Sequence, residues 1–307
     1  MEIVQELARI KPKKETVYTI GVFDGIHLGH QSLLTFLRDK ARQNGWLSGV
    51  ITFKSHPESV LGSTNQLPWL DDIDNRIKRI KNLGIDIIVA LSFTPELRQL
   101  SADEFVRLLK EHVKLRGLLI GPDFALGKNR QGSAEQLRLL GQRLDFSVEV
   151  VPPLVIDGDV VSSSLIRQVL AGGDIAKATK LLGRYFSIGG LVVTGDQRGR
   201  ELGFPTANLQ VKSDQASPSD GVYVTLAYTD SKPLPSVTNI GVRPTFGGGQ
   251  RLIETYLIDH RAQLPGKKLR IEFVEKLRDE QRFISAEELK AQIARDVAQA
   301  KQILGKK

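Results

Sequence analysis

Residues Thr19 to His30 read TIGVFDGIHLGH. Val17-Tyr18-Thr19-Ile20 is β-branched and aromatic, which predicts a buried strand. Gly21, Gly25 and Gly29 then permit tight turning and close backbone approach. From His30 onward Leu33, Leu34, Leu37 and Ala41 recur at helical spacing, which predicts a helix. A strand, a glycine-rich turn and a helix N-terminus make an anion site, because unpaired backbone N–H groups point at the ligand. His27 and His30 sit at that mouth, where imidazoles donate to phosphate oxygens and are positive when protonated. The strand before, the helix after and Asp24-Gly25 favour this reading over a turn with two incidental histidines.

Outward from that stretch, the first half alternates strands and helices. Gly49 to Phe53, Ile85 to Leu91, Leu118 to Ile120 and Val148 to Val151 read as strands. Between them lie the Ile73, Ile77, Ile80, Leu83 stripe that stops at Gly84, a Ser101/Glu104 capping box before Phe105, and a helix marked by Leu137, Leu140 and Leu144. Such alternation predicts an α/β domain with a parallel sheet covered on both faces, binding ligands outside the carboxyl ends of its strands. The second half changes character. Tyr185 to Thr194, Val222 to Tyr228, Ser236 to Ile240, Arg251 to Leu257 and Lys268 to Val274 read as strands with no intervening helix. They predict a small antiparallel β-barrel followed by one helix opened by Ser285 and Glu288. The boundary falls after Arg184, giving domains 1–184 and 185–307.

The 307 residues are 41% hydrophobic and 25% charged, enough for two domains with real cores. No cysteine is present, which excludes disulfides and thiolate metal sites. No apolar run approaches membrane-spanning length, and Glu2 and Glu6 stand where a signal core would be apolar; a cytoplasmic enzyme with no membrane association is expected. The net charge of +8 suits nucleic acid or phosphate-rich small substrates alike. The Lys and Arg residues are scattered without a recognition motif, so no nucleic-acid partner is expected. Protein partners are left open.

Further stretches bear on chemistry. Thr52 to Pro57, containing His56, and Gly121 to Lys128, containing Asp123 and Phe124, each follow a strand. Ser162, Ser163 and Ser164 precede an apolar-periodic segment with Arg167 one turn in, and read either as a helix cap or as phosphate donors with a bidentate charge. In the second half, Gly199 to Asn208 is a glycine-rich turn leading to Thr206-x-Asn208, whose neutral oxygens suit Mg²⁺ completed by water and nucleotide phosphates. A surface turn plugged by Phe204-Pro205 is the bland alternative. Glu254 and Tyr256 share one face of their strand, pointing either into the barrel mouth or to solvent.

These motifs together resemble a known family. His27-x-Gly29-His30 resembles the nucleotidylyltransferase signature. With Phe23-Asp24-Gly25, the first half is similar to the adenylyltransferase part of bacterial bifunctional riboflavin kinase/FMN adenylyltransferase, or FAD synthetase. Val161-Ser162-Ser163-Ser164-x-x-Arg167 is similar to the family's Ile-Ser-Ser-Thr-x-x-Arg, and Gly121 to Gly127 to its flavin loop, with Leu126 in place of a second Phe. Gly203-Phe204-Pro205-Thr206-Ala207-Asn208 resembles the kinase signature, Asn239 to Phe246 its mobile flap, Glu254 its catalytic glutamate, and Leu277 to Phe283 its flavin loop, with Asp279 in place of Pro. The resemblance implies a nucleotidylyltransferase-like Rossmann-type domain followed by a riboflavin kinase-like barrel.

It further implies two activities. The barrel would phosphorylate riboflavin to FMN with ATP, and the first domain would transfer adenylyl from ATP to FMN, giving FAD and pyrophosphate. His27, His30, Arg167 and Glu254 would be catalytic. Gly21, Phe23, Asp24, Gly25, Ser162, Ser163, Ser164, Gly203, Pro205, Thr206 and Asn208 would bind nucleotide. His56, Asp123, Phe124, Arg278 and Phe283 would contact flavin, and Thr206 and Asn208 would hold Mg²⁺. The alternatives are a nucleotidylyltransferase for another phosphorylated substrate, and a basic nucleic-acid-binding protein that has lost activity.

Overall fold

The computed structural model describes residues 2–55, 67–194, 199, 202–230, 232–243, 250–260 and 264–306. By its internal contacts the chain divides into two units, Met1–Ser163 and Ser164–Lys307.

The first unit begins with α1 (Glu2–Ala8), then β1 (Thr16–Ile20) and a single helical turn at Asp24–Ile26. There follow α2 (Leu28–Gln43), β2 (Leu47–Phe53), α3 (Ile73–Asn82), β3 (Ile87–Leu91), α4 (Pro95–Gln99), α5 (Ala102–Val113) and β4 (Leu115–Ile120). The small strands β5 (Ala125–Leu126) and β6 (Gly132–Ser133) pair as a hairpin before α6 (Ala134–Leu144) and β7 (Ser147–Val150), and β8 (Val155–Ile156) pairs with β9 (Asp159–Val160). Strands β3-β2-β1-β4-β7 form one parallel sheet in that order. Alternate residues of β1 feed opposite cores. Val17 packs with Leu34 and Leu37 of α2 and Ile80 of α3, whereas Tyr18 packs with Leu7 of α1 and Phe105 and Leu109 of α5. Both faces are therefore covered, as the alternation predicts.

The strand order reverses beside β1, whose neighbours β2 and β4 lead the chain to opposite edges. That reversal opens a crevice at the carboxyl edge of β1, where Gly21 to His30 emerge.

The helices α7 (Ser163–Ala171) and α8 (Ile175–Leu182) come next, and α8 packs on the barrel strands β10 (Phe186–Val193) and β15 (Lys268–Arg278). The barrel closes in the order β10, β11 (Thr206–Gln210), β14 (Gln250–Leu257), β13 (Leu234–Arg243), β12 (Gly221–Tyr228) and β15, antiparallel throughout. Strand β11 is the closing element that the sequence pattern did not announce. Its short Thr-Ala-Asn-Leu-Gln stretch has polar residues at Thr206 and Asn208 on the outer face and buries only Ala207 and Leu209. The terminal helix α9 (Ala286–Gly305) is capped by Ser285, whose hydroxyl accepts from Glu288 N–H, and packs on the outer face of β12 and β13 through Val297, Ala300 and Leu304.

With Val222 and Val224 facing α9, the opposite face of β12 turns inward. There Thr225, Ser236, Thr238 and Thr255 are all fully buried and bond through their hydroxyls across three strands, at 2.8, 2.8 and 2.9 Å. These hydroxyls satisfy one another, which keeps a polar barrel interior from being a liability.

Candidate active sites

The first site is built on the turn after β1. Gly21 N–H still bonds the Ile51 carbonyl at 3.0 Å, so the strand order persists to the turn. Phe23 then adopts the left-handed conformation (φ 52°), as does Gly25 (φ 79°), where any Cβ would press within 2.9 Å of Leu70. Asp24 is buried, and its carboxylate accepts from Leu70 N–H at 3.0 Å and Asp71 N–H at 3.1 Å. Ser163 Oγ donates to the Asp24 carbonyl at 2.9 Å. Asp24 and Ser163, both expected at the nucleotide, thus also hold the turn itself.

The helix starts earlier than the apolar spacing suggests. His27 is the N-cap of α2, its Nδ1 accepting from His30 N–H at 3.3 Å. That bond leaves the proton of neutral His27 on Nε2. The rings of His27 and His30 stack with centroids 3.6 Å apart and 19° between planes, and Phe23 packs edge-on to His30 at 5.1 Å. His30 Nδ1 is shut off from solvent and has no partner among the described residues. Burial, then repulsion from His27, holds the His30 pKa well below its ordinary value. His30 is therefore neutral in the ligand-free protein, where the sequence left its charge open.

Around this turn the carboxyl ends of β2 and β3 carry an aromatic pair. Phe53 and Phe93 meet edge-to-face at 5.4 Å, and with Phe124 they are partly buried against the core. Phe53 figures in the sequence reading only within the Gly49 to Phe53 strand and the Thr52 to Pro57 stretch, and Phe93 not at all; an aromatic residue closing a strand next to a site turn was the available signal. Asp123 is exposed, and its carbonyl accepts from Arg130 at 2.8 Å. Leu126 is 8% exposed and packs into the core of this unit, so the position that carries Phe in the resembling loop faces inward here. Ser162 is half-buried and Ser164 is exposed at the start of α7; Arg167, half-buried, lies one turn into that helix. His56 lies outside the described residues.

The second site lies on the barrel's outer face. Strand register places Glu254 directly opposite Asn208 on one side and Asn239 on the other. Directly opposed residues have Cβ atoms about 4.5–5.5 Å apart, so these three make one polar row. Thr206 faces Tyr256 one step along, and Phe204 packs edge-on to Tyr256 at 5.4 Å. Ile253, Thr255 and Leu257 are buried inside, which answers the sequence's open question: Glu254 points outward, not into the barrel. The turn before β11 is closed by Phe204 N–H on the Gly199 carbonyl at 2.7 Å, with Gly203 left-handed (φ 89°) and Pro205 exposed. Asn239 was quoted only as part of the flap; its register with Glu254 becomes visible only once β13 and β14 pair. Pro244, Thr245 and Phe246 of that flap lie outside the described residues.

Arg278 closes β15 and is gripped by Asp296 of α9, with Nε 3.1 Å from both carboxylate oxygens and Nη2 2.9 Å from one; Nη1 donates to the Asp279 carbonyl at 3.1 Å. Phe283 lies under that guanidinium at 5.7 Å. Both expected flavin contacts are thus brought together, with the arginine braced by the terminal helix.

Residues 9–165 match the FAD synthetase family, and residues 182–304 match the riboflavin kinase family. The bifunctional riboflavin kinase/FMN adenylyltransferase of Escherichia coli (strain K12) is 36% identical over 296 residues, covering 96% of this chain and 94% of that protein. The chain belongs to the bifunctional riboflavin kinase/FMN adenylyltransferase family. The family member of Pseudomonas fluorescens is 38% identical over 304 residues, 98% of this chain and 97% of its own. A crystal structure described as a macrolide-efflux protein from Streptococcus pneumoniae superposes with a TM-score of 0.87 at 29% identity, covering 94% of this chain and 95% of that one. Among the described residues no helix is long and apolar enough to cross a membrane. The order of the two family matches is the order of the two folds, α/β first and barrel second. Enzymes of this family use ATP and a divalent metal.

Proposed function

We propose that the two activities of the family divide between the two sites described. The enzyme phosphorylates riboflavin to FMN and adenylylates FMN to FAD. In our reading residues 185–307 carry the kinase and residues 1–184 the adenylyltransferase. In the second site, Glu254 orients riboflavin's 5′-hydroxyl and accepts its proton as the oxygen attacks the γ-phosphorus of ATP and ADP departs. Asn208 and Asn239, flanking Glu254, hold its carboxylate in place. Arg278 and Phe283 line the flavin side.

The donor set fits Mg²⁺. Thr206 and Asn208 offer neutral hard oxygens, and among the described residues no group of three or more His, Cys, Asp or Glu side chains is placed to hold a metal. An ion here would therefore take most of its ligands from phosphate and water, as Mg²⁺ does, and would neutralise charge on the polyphosphate.

In the first site an FMN phosphate oxygen attacks the α-phosphorus of ATP and pyrophosphate leaves. No covalent enzyme intermediate is required, so catalysis is positioning and charge stabilisation. The N-terminus of α2 with His27 and His30 stabilises the phosphate charge, and Ser162 and Ser163 serve the nucleotide; for Ser164 and Arg167 only the family resemblance supports the nucleotide-binding and catalytic roles. Gly21, Phe23, Asp24 and Gly25 shape the turn. Phe53, Phe93 and Phe124, with His56 and Asp123, receive the flavin ring. A cytoplasmic location belongs to the same proposal.

The observation that carries the reading is the stacked His27/His30 pair on a helix N-terminus, at the carboxyl edge where the strand order reverses. Incubating the purified chain with riboflavin, ATP and Mg²⁺ and resolving FMN and FAD by chromatography tests it. Residues 185–307 alone, given the same mixture, should stop at FMN. FAD from that fragment, or no FMN despite a folded fragment, would overturn the division.

A further inference from the structure

Arg76 is 1% exposed and lies on the inward face of α3, three residues after Ile73 and four before the buried Ile80. Its Nη1 donates to the Val22 carbonyl at 2.6 Å and lies 3.4 Å from Thr52 Oγ1; its Nη2 donates to the Phe53 carbonyl at 3.1 Å. Val22 lies just past β1, and Phe53 is the last residue of its parallel neighbour β2. One planar guanidinium therefore bridges the ends of two adjacent strands, at the points from which both site loops leave. The ring of Trp69 lies 4.4 Å from the guanidinium carbon. Asp24, Asp71 and Asp72 favour the buried charge, which burial alone would penalise. Nε has no partner among the described residues. A buried cation that bonds chain carbonyls is an expensive way to fill space. A rigid fork, however, fixes the separation of two acceptors, which neither a lysine nor an apolar side chain can do.

The link to the chemistry is short. The carbonyl that Arg76 holds belongs to the peptide joining Val22 to Phe23, and Phe23, in its left-handed conformation, braces the His30 ring edge-on. We propose that Arg76 is a positioning residue for adenylyl transfer, fixing the peptide before Phe23 and through it the ring of His30, without touching substrate. This rests on the reading of His27 and His30 as the adenylyl-transfer site.

The test uses the full-length protein with Arg76→Lys, Trp69→Leu and His30→Ala. FAD formation from FMN, ATP and Mg²⁺ and FMN formation from riboflavin are measured on each sample. Arg76→Lys keeps the charge but reaches only one of the two carbonyls, so the result separates geometry from charge. Displacing a catalytic group by about 1 Å costs up to roughly 10²-fold, so its kcat for FAD formation should fall about 10–100-fold. The KM for ATP should change little, because a misplaced group that acts in the transition state lowers kcat. FMN formation should stay at the wild-type rate. The acid limb of the FAD-formation pH profile should also move toward the ordinary histidine range as the His30 ring loosens. Trp69→Leu should give the same pattern with a smaller loss, and it decides the matter if Arg76→Lys does not fold. A wild-type kcat in Arg76→Lys with an inactive His30→Ala would overturn the Arg76 inference alone. Equal loss of both activities, or a loss confined to KM, would also overturn it. A fully active His30→Ala would remove the site reading and this inference with it.

Discussion

The two sites are held in place by different means. At the first, side chains reach across long stretches of sequence to pin a turn: Asp24 to the 70–71 backbone, Ser163 to Asp24, and Arg76 to the ends of β1 and β2. At the second, the register of three antiparallel strands alone brings Asn208, Glu254 and Asn239 into one row. A site hung on a turn is set by whatever pins the turn, and distant side chains matter to it. A site on a closed barrel is set by the ladder, and side chains on the far face matter little. Substitutions at and behind each site test that contrast.

The largest effect is expected where the first site's charge-stabilising groups are removed together. His27→Ala with His30→Ala should reduce FAD formation by more than the 10²–10³-fold typical of one lost preorganised donor. It also deletes the N-cap of α2, so the turn itself should loosen. FMN formation should be nearly intact, because both imidazoles belong to the first unit. Parallel assays of the two products on one preparation check this. FAD formation at the wild-type rate would detach the two histidines from the reaction.

Glu254→Gln should come next. Glutamine keeps the shape and one acceptor but is no useful base, and general base catalysis is worth about 10²–10⁴-fold. The maximal rate of FMN formation should fall by that order, with ATP binding little changed. FAD formation from supplied FMN should survive. Because register rather than the side chain holds the row, this variant should melt close to wild type, in contrast to the double histidine variant. An unchanged kinase rate would take Glu254 out of the mechanism, and loss of both activities would point to one shared site or to misfolding.

A subtler difference concerns protons. His30 is held neutral by burial and by its neighbour His27. Bound polyphosphate favours imidazolium, so nucleotide binding at the first site should take up as much as one proton below neutral pH. Calorimetry in two buffers of different ionisation enthalpy reads this directly, and the uptake should be missing in His30→Ala. The stability consequence has a fixed sign. A histidine whose folded pKa is lowered binds its proton more readily when unfolded. It should therefore cost the first unit stability as pH drops below the ordinary value of 6.5, until the lowered folded value is passed. Wild type and His30→Gln melted across that window should differ in slope, with wild type the steeper.

The contrast between the sites also explains what could be read from sequence. The β1–turn–α2 unit was legible because strand, glycines and helix lie within one short stretch and their periods are local. The alternation that gives the parallel sheet, and the Ser285 cap of α9, were legible for the same reason. Strand β11 was not, since its outward polar residues look like a turn's ligands until β14 pairs with it. The start of α2 was misplaced by two residues because His27 caps it with a ring nitrogen, an unusual N-cap. The role of Arg76 was not legible: its spacing puts it on the face of Ile73 and Ile80, but the Val22 and Phe53 carbonyls it bridges lie 54 and 23 residues away. The inward packing of Leu126 was likewise hidden, as a two-residue strand has too short a period to show which side faces the core.

The smallest effect should come from behind the second site. Thr225 bridges Ser236 and Thr238 through its hydroxyl inside the barrel, while Thr238 also bonds Thr255, the neighbour of Glu254. Thr225→Val keeps the shape but leaves Ser236 without that bond, and a buried hydroxyl without a partner costs about 1–3 kcal/mol. The barrel's melting transition should fall by several degrees. If register sets the active row, the loss should stop there: the backbone ladder between β13 and β14 does not depend on these hydroxyls, and Glu254 faces the other way. The kinase kcat should stay near wild type even as the melting temperature drops. A kcat that fell in proportion to stability would show that the interior network transmits to the outer row. The barrel site would then be pinned by distant side chains after all, as the first site is.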